Sequence, residues 1–255
     1  MFQLDGKTIL VTGASKGIGA EIVKALITQG GHVVAHYGRD RAGMEAVCAA
    51  LPKDRVRMIA ADFRDNAQVE ALWREAQAWR GTIDVLVNNA AVLHWKGGID
   101  DPDAVWDEVW AETLQVNVQA PARLTRAALR HFRAKGGGIV ITVSSWAAQR
   151  GISNPAGAAY AASKAAIKAY TQSIARGYAK ENILAYVIAP GVVRTQMSLS
   201  FAALEGGEAA VAKGLAMGEM IPPADVAAVA AFLASGASRH LTGSTIDVNG
   251  ASYVR

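Results

Sequence analysis

The chain has 255 residues, 51% of them hydrophobic and 19% charged, with a formal net charge of +4 and a pI of about 9.2. No apolar run approaches the roughly 18 residues of a membrane span, and a single cysteine, Cys48, excludes an intrachain disulfide framework or a cysteine metal cluster. The scattered lysines and arginines form no dense basic run such as nucleic-acid binding uses. Asp5 and Lys7 stand just before the first apolar run, with no basic region and cleavage site of a signal peptide, so a soluble, cytoplasmic chain is expected.

In chain order, TILVTG (8–13) reads as a short buried strand. GIGAEIVKALITQG (17–30) reads as a helix with apolar positions at Ile18, Ile22, Ala25 and Leu26. The alternation repeats through strand HVVAHY (32–37), helix RAGMEAVCAAL (41–51), strand RVRMIAAD (55–62), helix NAQVEALWREAQAW (66–79) and strand DVLVNNAAV (84–92). One long helix is expected over 105–132, then strand GIVITVSS (138–145), a helix over 158–178, and strands ILAYVIAPG (183–191) and STIDVNG (244–250). Short apolar strands alternating with amphipathic helices predict an α/β fold: a doubly wound, seven-stranded parallel sheet with helices on both faces. No linker or repeat interrupts the pattern, so residues 1–255 are expected to form a single domain. Residues 192–222, rich in Ala, Gly and Met and without a clear strand, predict a mobile flap over the substrate.

The turn TGASKGIG (12–19) joins the first strand to the first helix. Gly13 allows the tight turn, Gly17 lets backbone approach a pyrophosphate, and Gly19 lets helix and strand pack closely. The open amides of the helix N-terminus then face the phosphates. A turn that merely needs glycine is the plainer reading, but strand, turn and helix follow in the order that dinucleotide binding demands. Farther on, AAYAASKAAIKAY (158–170) sets Tyr160 and Lys164 one helical turn apart.

The G-x-x-x-G-x-G spacing together with Y-A-A-S-K resembles the short-chain dehydrogenase/reductase family over nearly the whole chain. NNAAV (88–92) is similar to that family's N-N-A-G signature, with Ala91 where glycine is usual. Asn117 matches its helix asparagine, Ser145 its serine, and PGVVRT (190–195) its P-G motif before a threonine, Thr195. The resemblance implies a nicotinamide cofactor held by Gly13, Ser15, Lys16, Gly17, Ile18, Gly19, Tyr37, Arg39, Asp62, Phe63, Asn89, Ala90, Tyr160, Lys164, Pro190, Gly191, Val193 and Thr195, with Asp62 against the adenine. It implies catalysis by Asn117, Ser145, Tyr160 and Lys164, and a homo-oligomer, most often a tetramer; no metal is called for.

A free tyrosine has a pKa of about 10, and a nearby cation favours the phenolate. Lys164 is placed to lower the Tyr160 value toward the working pH. By the resemblance, Tyr160 donates a proton to a carbonyl oxygen during reduction and takes it back during oxidation. Ser145 hydrogen-bonds the same oxygen, Lys164 also contacts the nicotinamide ribose, and Asn117 holds a water that links Lys164 to solvent. Ser144 is the rival serine, but adjacent strand residues point to opposite faces and the family pattern favours Ser145. Ser145 lies fifteen positions before Tyr160, a loop longer than is usual for the family, and the extra residues fall in QRGISNPAG (149–157), beside the expected substrate pocket.

An acid at the end of the second strand would grip a ribose 2′-hydroxyl. Tyr37 occupies that place, and Asp40 lies three residues too late. Lys16 and Arg39 suit a 2′-phosphate, which favours NADP(H) over NAD(H). His32, His36, His94, His131 and His240 share no metal-ligand spacing and read as structural or surface residues. Trp106 and Trp110 read as interface or core packing; Trp95, Trp146 and the flap methionines Met197, Met217 and Met220 are candidates for the pocket or for ordinary filling. The reading is therefore an oxidoreductase that interconverts a ketone and a secondary alcohol. The alternative is a catalytically silent nucleotide-binding regulator, against which the presence of Ser145, Tyr160 and Lys164 argues. A sugar, polyol or other small alcohol and a 3-oxoacyl thioester are the candidate substrates. Arg126, Arg130 and Arg133, on one helix face, are the only basic stripe that would suit a carrier-protein client.

Overall fold

The structure, a computed structural model, describes residues 3–254. Its elements begin with β1 (Thr8–Val11), α1 (Gly17–Thr28), β2 (His32–Tyr37), α2 (Arg41–Cys48), β3 (Val56–Ala60), α3 (Asn66–Arg80) and β4 (Val85–Asn88). They continue with α4 (Asp103–Leu114), α5 (Ala120–Lys135), β5 (Gly138–Val143), α6 (Ala147–Arg150), α7 (Ala158–Tyr178) and β6 (Ile183–Pro190). The last are α8 (Gln196–Leu204), α9 (Glu208–Lys213), α10 (Pro223–Ser235) and β7 (Thr245–Val248). Seven parallel strands form one sheet in the order β3-β2-β1-β4-β5-β6-β7. The chain starts in the middle, winds out to β3 and returns to place β4 beside β1. The loops after β1 and β4 therefore diverge and open a crevice at the carboxyl ends of the strands.

Each face of the sheet carries its own core. Ile22 and Leu26 of α1 and Val226 and Ala230 of α10 cover one face; Leu72 and Trp73 of α3, Leu124 and Phe132 of α5 and Ile174 of α7 cover the other. Strands buried on both faces are nearly continuous apolar runs, as in β6, where all eight residues are buried. Among the described residues no helix is long and apolar enough to cross a membrane.

The helix expected over 105–132 is interrupted. A π-turn at Gln115–Gln119 joins α4 to α5, with Asn117 buried at its centre. Apolar periodicity runs smoothly through this inserted turn, which is why the sequence does not reveal it. Residues 192–222 contain α8 and α9, and a parallel bridge between Val193 and Ile221 ties the two ends of the segment together. α10, unassigned by the sequence reading, starts on Pro223 at its first position and completes the last unit.

Candidate active site

The turn after β1 is shaped by close approach. Gly13 (φ +67°) and Gly17 (φ +56°) adopt backbone conformations that side chains rarely tolerate. A Cβ on Gly19 would collide with the Gly13 carbonyl and come within 2.6 Å of Asn89 Nδ2. The side chain of Lys16, the residue before α1, makes no capping bond, so the first-turn amides of α1 stay open to the cleft. Thr12 and Asn89 lock the two sides of the switch point together. The Thr12 hydroxyl accepts from the Asn89 and Ala90 amides (2.9 and 3.0 Å), and Asn89 Nδ2 donates to the Thr12 and Gly13 carbonyls (2.8 and 3.0 Å).

A cleft of about 460 Å³ runs past this turn. Every residue predicted to hold the cofactor lines it except Tyr37. Correcting that expectation, Tyr37 is buried in the core on the α1 face. Side chains alternate along a strand, and it is the preceding His36 that faces the cleft, followed by Gly38, Arg39 and Asp40. Asp40, set aside as too late in sequence, lines the cleft, and its carboxylate caps α2, accepting from the Gly43 amide at 2.9 Å. Arg64, which the sequence reading missed, also lines it. Its Nε donates to Asp62 Oδ1 and Oδ2 (2.9 and 3.0 Å), and Arg39 stands 3.8 Å from the same carboxylate. The signal was available: Arg64 follows Asp62 by two residues in the turn that leaves β3.

Tyr160 and Lys164 project from α7 toward the end of β5. Lys164 Nζ donates to the Val143 carbonyl at 2.8 Å and lies 5.6 Å from the centre of the Tyr160 ring. Burial pushes the Lys164 ammonium down to about 8. The expected lowering of Tyr160 does not occur: burial pushes its phenol up to about 12, against a smaller opposing pull from a hydrogen bond with Ser145. Tyr160 remains half-buried as a whole, with part of its surface on the cleft, but desolvation at the hydroxyl outweighs its neighbours. The hydroxyl of Ser144, the rival serine, donates to the Lys164 carbonyl at 2.9 Å.

Asn117 lines neither cavity. Its Oδ1 accepts from the Val92 amide (2.8 Å), and its Nδ2 donates to the Val92 carbonyl (2.9 Å) and the Ser163 hydroxyl (3.0 Å). The side chain is therefore engaged in clamping the loop after β4 to α7.

A second cavity of about 140 Å³ opens beside the first, and Ser145, Tyr160, Gly191, Met197 and Ser198 line both. Its walls include Trp95, stacked on Phe201 of α8 with centroids 5.0 Å apart, and Trp146, over which the Arg150 guanidinium lies 4.7 Å from the ring centre. Met220 is buried and Met217 exposed, and neither lines a cavity. Trp106 and Trp110 stack on each other along α4, at 5.1 Å.

Comparison with known proteins agrees with this architecture. The family model described as short chain dehydrogenase matches residues 7–205. The chain is 34% identical over 250 residues to nodulation protein G of Rhizobium sp. (strain N33), covering 98% of each. It is 31% identical over 255 residues to the 3-oxoacyl-(acyl-carrier-protein) reductase of Escherichia coli (strain K12), covering 99% of each. The crystal structure of a 3-ketoacyl-(acyl-carrier-protein) reductase from Brucella melitensis complexed with NADH superposes with a TM-score of 0.87 at 29% identity, over 99% of this chain and 100% of that one. The glycine turn, the crevice beside β1 and β4 and this family match together establish that the chain belongs to the short-chain dehydrogenase/reductase family of oxidoreductases.

Proposed function

We propose that the chain interconverts a ketone and a secondary alcohol by hydride transfer, with NADP(H) as the preferred cofactor. The observation that carries this is the position of Ser145 and Tyr160 on the shared wall of two cavities, one long and backed by a glycine turn, the other small and apolar. The long cleft fits a dinucleotide. Its Gly19 leaves no room for a side chain, and the open amides of α1 and the cation of Lys16 suit phosphates. The bound nicotinamide would supply or accept the hydride.

Ser145 orients the substrate oxygen by hydrogen bonding, and Tyr160 passes the proton to it. A phenol pushed up to about 12 is protonated at neutral pH, the form a reduction needs. Lys164, anchored on Val143, holds positive charge beside the ring and offers its ammonium to the cofactor ribose. Asn117 fixes the loop at Val92 after β4. Gly13, Gly17, Asn89, Ala90, Pro190, Gly191, Val193 and Thr195 form the walls around the cofactor. Lys16, Arg39 and Arg64 give one end of the cleft a cationic rim that supports a 2′-phosphate, with Asp40 and Asp62 as the opposing charges.

We place the whole chain in one cytoplasmic catalytic domain, with 192–222 as the flap, because Met197, Ser198 and Phe201 lie against the pocket. Trp106, 42% exposed on α4, supports a subunit contact of the homotetramer. The substrate is a small alcohol, sugar or polyol, or else a 3-oxoacyl thioester of the kind named for the relatives. Nicotinamide absorbance followed with NADPH and NADH, against ketones, oxoacyl thioesters and the matching alcohols, tests the reading. Faster turnover with NADPH is expected. Protein that binds the cofactor but turns over nothing would instead support the silent regulator.

A further inference from the structure

Resting on that functional reading, we propose that the small cavity takes a compact, ring-bodied ketone or alcohol that carries a carboxylate, and that Arg150 is the residue that selects it. Arg150 closes α6, inside the loop that is longer than is usual for the family, and is the only charged residue lining this cavity. Among the described residues it makes no ion pair, although nine such pairs engage charges elsewhere on the molecule. No carboxylate side chain lines the cavity to neutralise it.

The guanidinium is also held in place. It lies over Trp146 at 4.7 Å, and α6 itself is tethered by Gln149 Nε2 donating to Asp247 at 2.8 Å. A guanidinium held over a ring keeps N–H donors that can meet a carboxylate with two parallel hydrogen bonds. One cation matches one negative charge. Arg150 shares the lining of this cavity with Ser145 and Tyr160, and with Trp95, Trp146, Ile152 and Met197. Flat aromatic walls around about 140 Å³ suit a single ring better than a long acyl arm.

Matched ketones test the inference: 4-acetylbenzoate and its methyl ester, assayed with NADPH, with binding of both followed by calorimetry on the cofactor-loaded protein. For the unaltered chain, KM and Kd for the acid should lie about fivefold below those for the ester, the upper scale of a charge pair at an exposed side chain. In Arg150→Gln the acid-to-ester ratio should approach one; Arg150→Lys should keep part of it, and added salt should weaken it. Equal values for acid and ester in the unaltered chain, absence of binding by either, or a preference that survives in Arg150→Gln overturns the inference. Turnover of the ester without acid preference would sink this inference and leave the oxidoreductase reading intact. Arg150-dependent binding of the acid without any hydride transfer would do the reverse.

Discussion

The imidazole of His36 lies nearly parallel to the ring of Phe63, 12° apart with centroids separated by 4.4 Å. Its Nδ1 accepts from the Gly13 amide (3.2 Å), which leaves Nε2 to donate to the Ala61 carbonyl (2.9 Å). One neutral ring thereby joins the ends of β2 and β3 to the glycine turn, and only one tautomer satisfies both contacts.

Burial holds His36 down at about 4. The folded value lies below the unfolded value of about 6.5, so its stabilising contribution is complete above 6.5 and is lost as pH falls toward 4. Urea unfolding should show up to about 3 kcal/mol of this loss across that window, and His36→Gln should lack that increment. Parallel pH profiles for the two proteins would dispose of the assignment.

Tyr160→Phe removes the proton that Tyr160 is proposed to donate while keeping its ring. Turnover should fall by about 10²–10⁴-fold with cofactor affinity unchanged, as read by steady-state rates and by fluorescence titration with NADPH. Because the phenol sits near 12 in the unliganded chain, alcohol oxidation should rise with pH through the neutral range while ketone reduction stays flat. Substantial turnover by the phenylalanine variant would end the mechanism.

Lys164 sets function against stability. Its folded value of about 8 lies below the ordinary lysine value, so burying the ammonium costs stability below pH 8, and the cost fades as pH rises toward 10.5. Lys164→Met removes that cost, on the order of 3 kcal/mol, but orphans the Val143 carbonyl at about 1–3 kcal/mol. The variant should be inactive and about 1 kcal/mol more stable at pH 7, with the gain shrinking above pH 9. A clear loss of stability at pH 7 would show that the ammonium's contacts outweigh its desolvation.

Two glycines predict opposite outcomes for the same added methyl group. Gly19→Ala drives Cβ into the Gly13 carbonyl and Asn89, and should weaken NADPH binding by at least about tenfold and lower Tm. Gly177, exposed on α7 with nothing within 4 Å of an added Cβ, should gain about 0.5–1 kcal/mol as alanine. Thermal melts with and without NADPH compare them directly.

Asn117→Asp keeps an acceptor for the Val92 amide but removes both donors, leaving the Val92 carbonyl and Ser163 without Nδ2. A loss of about 1–3 kcal/mol is expected, together with a fall in kcat larger than any change in cofactor Kd. An unchanged melting temperature would mean that the clamp carries no load.

The strands were legible because each is a short, nearly uninterrupted apolar run between helices of clear period, and the glycine turn because it falls where β1 meets α1. Strand alternation set Ser144 and Ser145 apart and the family pattern chose Ser145; the hydroxyl of Ser144 donates to the Lys164 carbonyl. Tyr37 was expected on the cleft from its place at the end of the second strand, where it is His36 that lines the cleft. The π-turn at Asn117 was hidden because helix periodicity survives a single wide turn. Arg64 was passed over because a charge in a turn looks solvated until tertiary contacts show what it faces, and Asp40 was set aside because its distance along the chain hid that it lines the cleft.

The bridge between Val193 and Ile221 has a consequence for how such chains diversify. The Arg194 amide reaches the Ile221 carbonyl and the Ile221 amide the Val192 carbonyl, each at 2.9 Å, so the segment leaves and rejoins the body at one narrow stem. The segment between Val193 and Ile221 carries Met197, Ser198 and Phe201 of the second cavity. Its length and side chains can be rewritten while the stem bears the cost of closure, which grows only slowly with loop length. Residues 195–220 grafted from a relative should thus transplant substrate preference and leave strand register and the Tyr160–Lys164 geometry as they are.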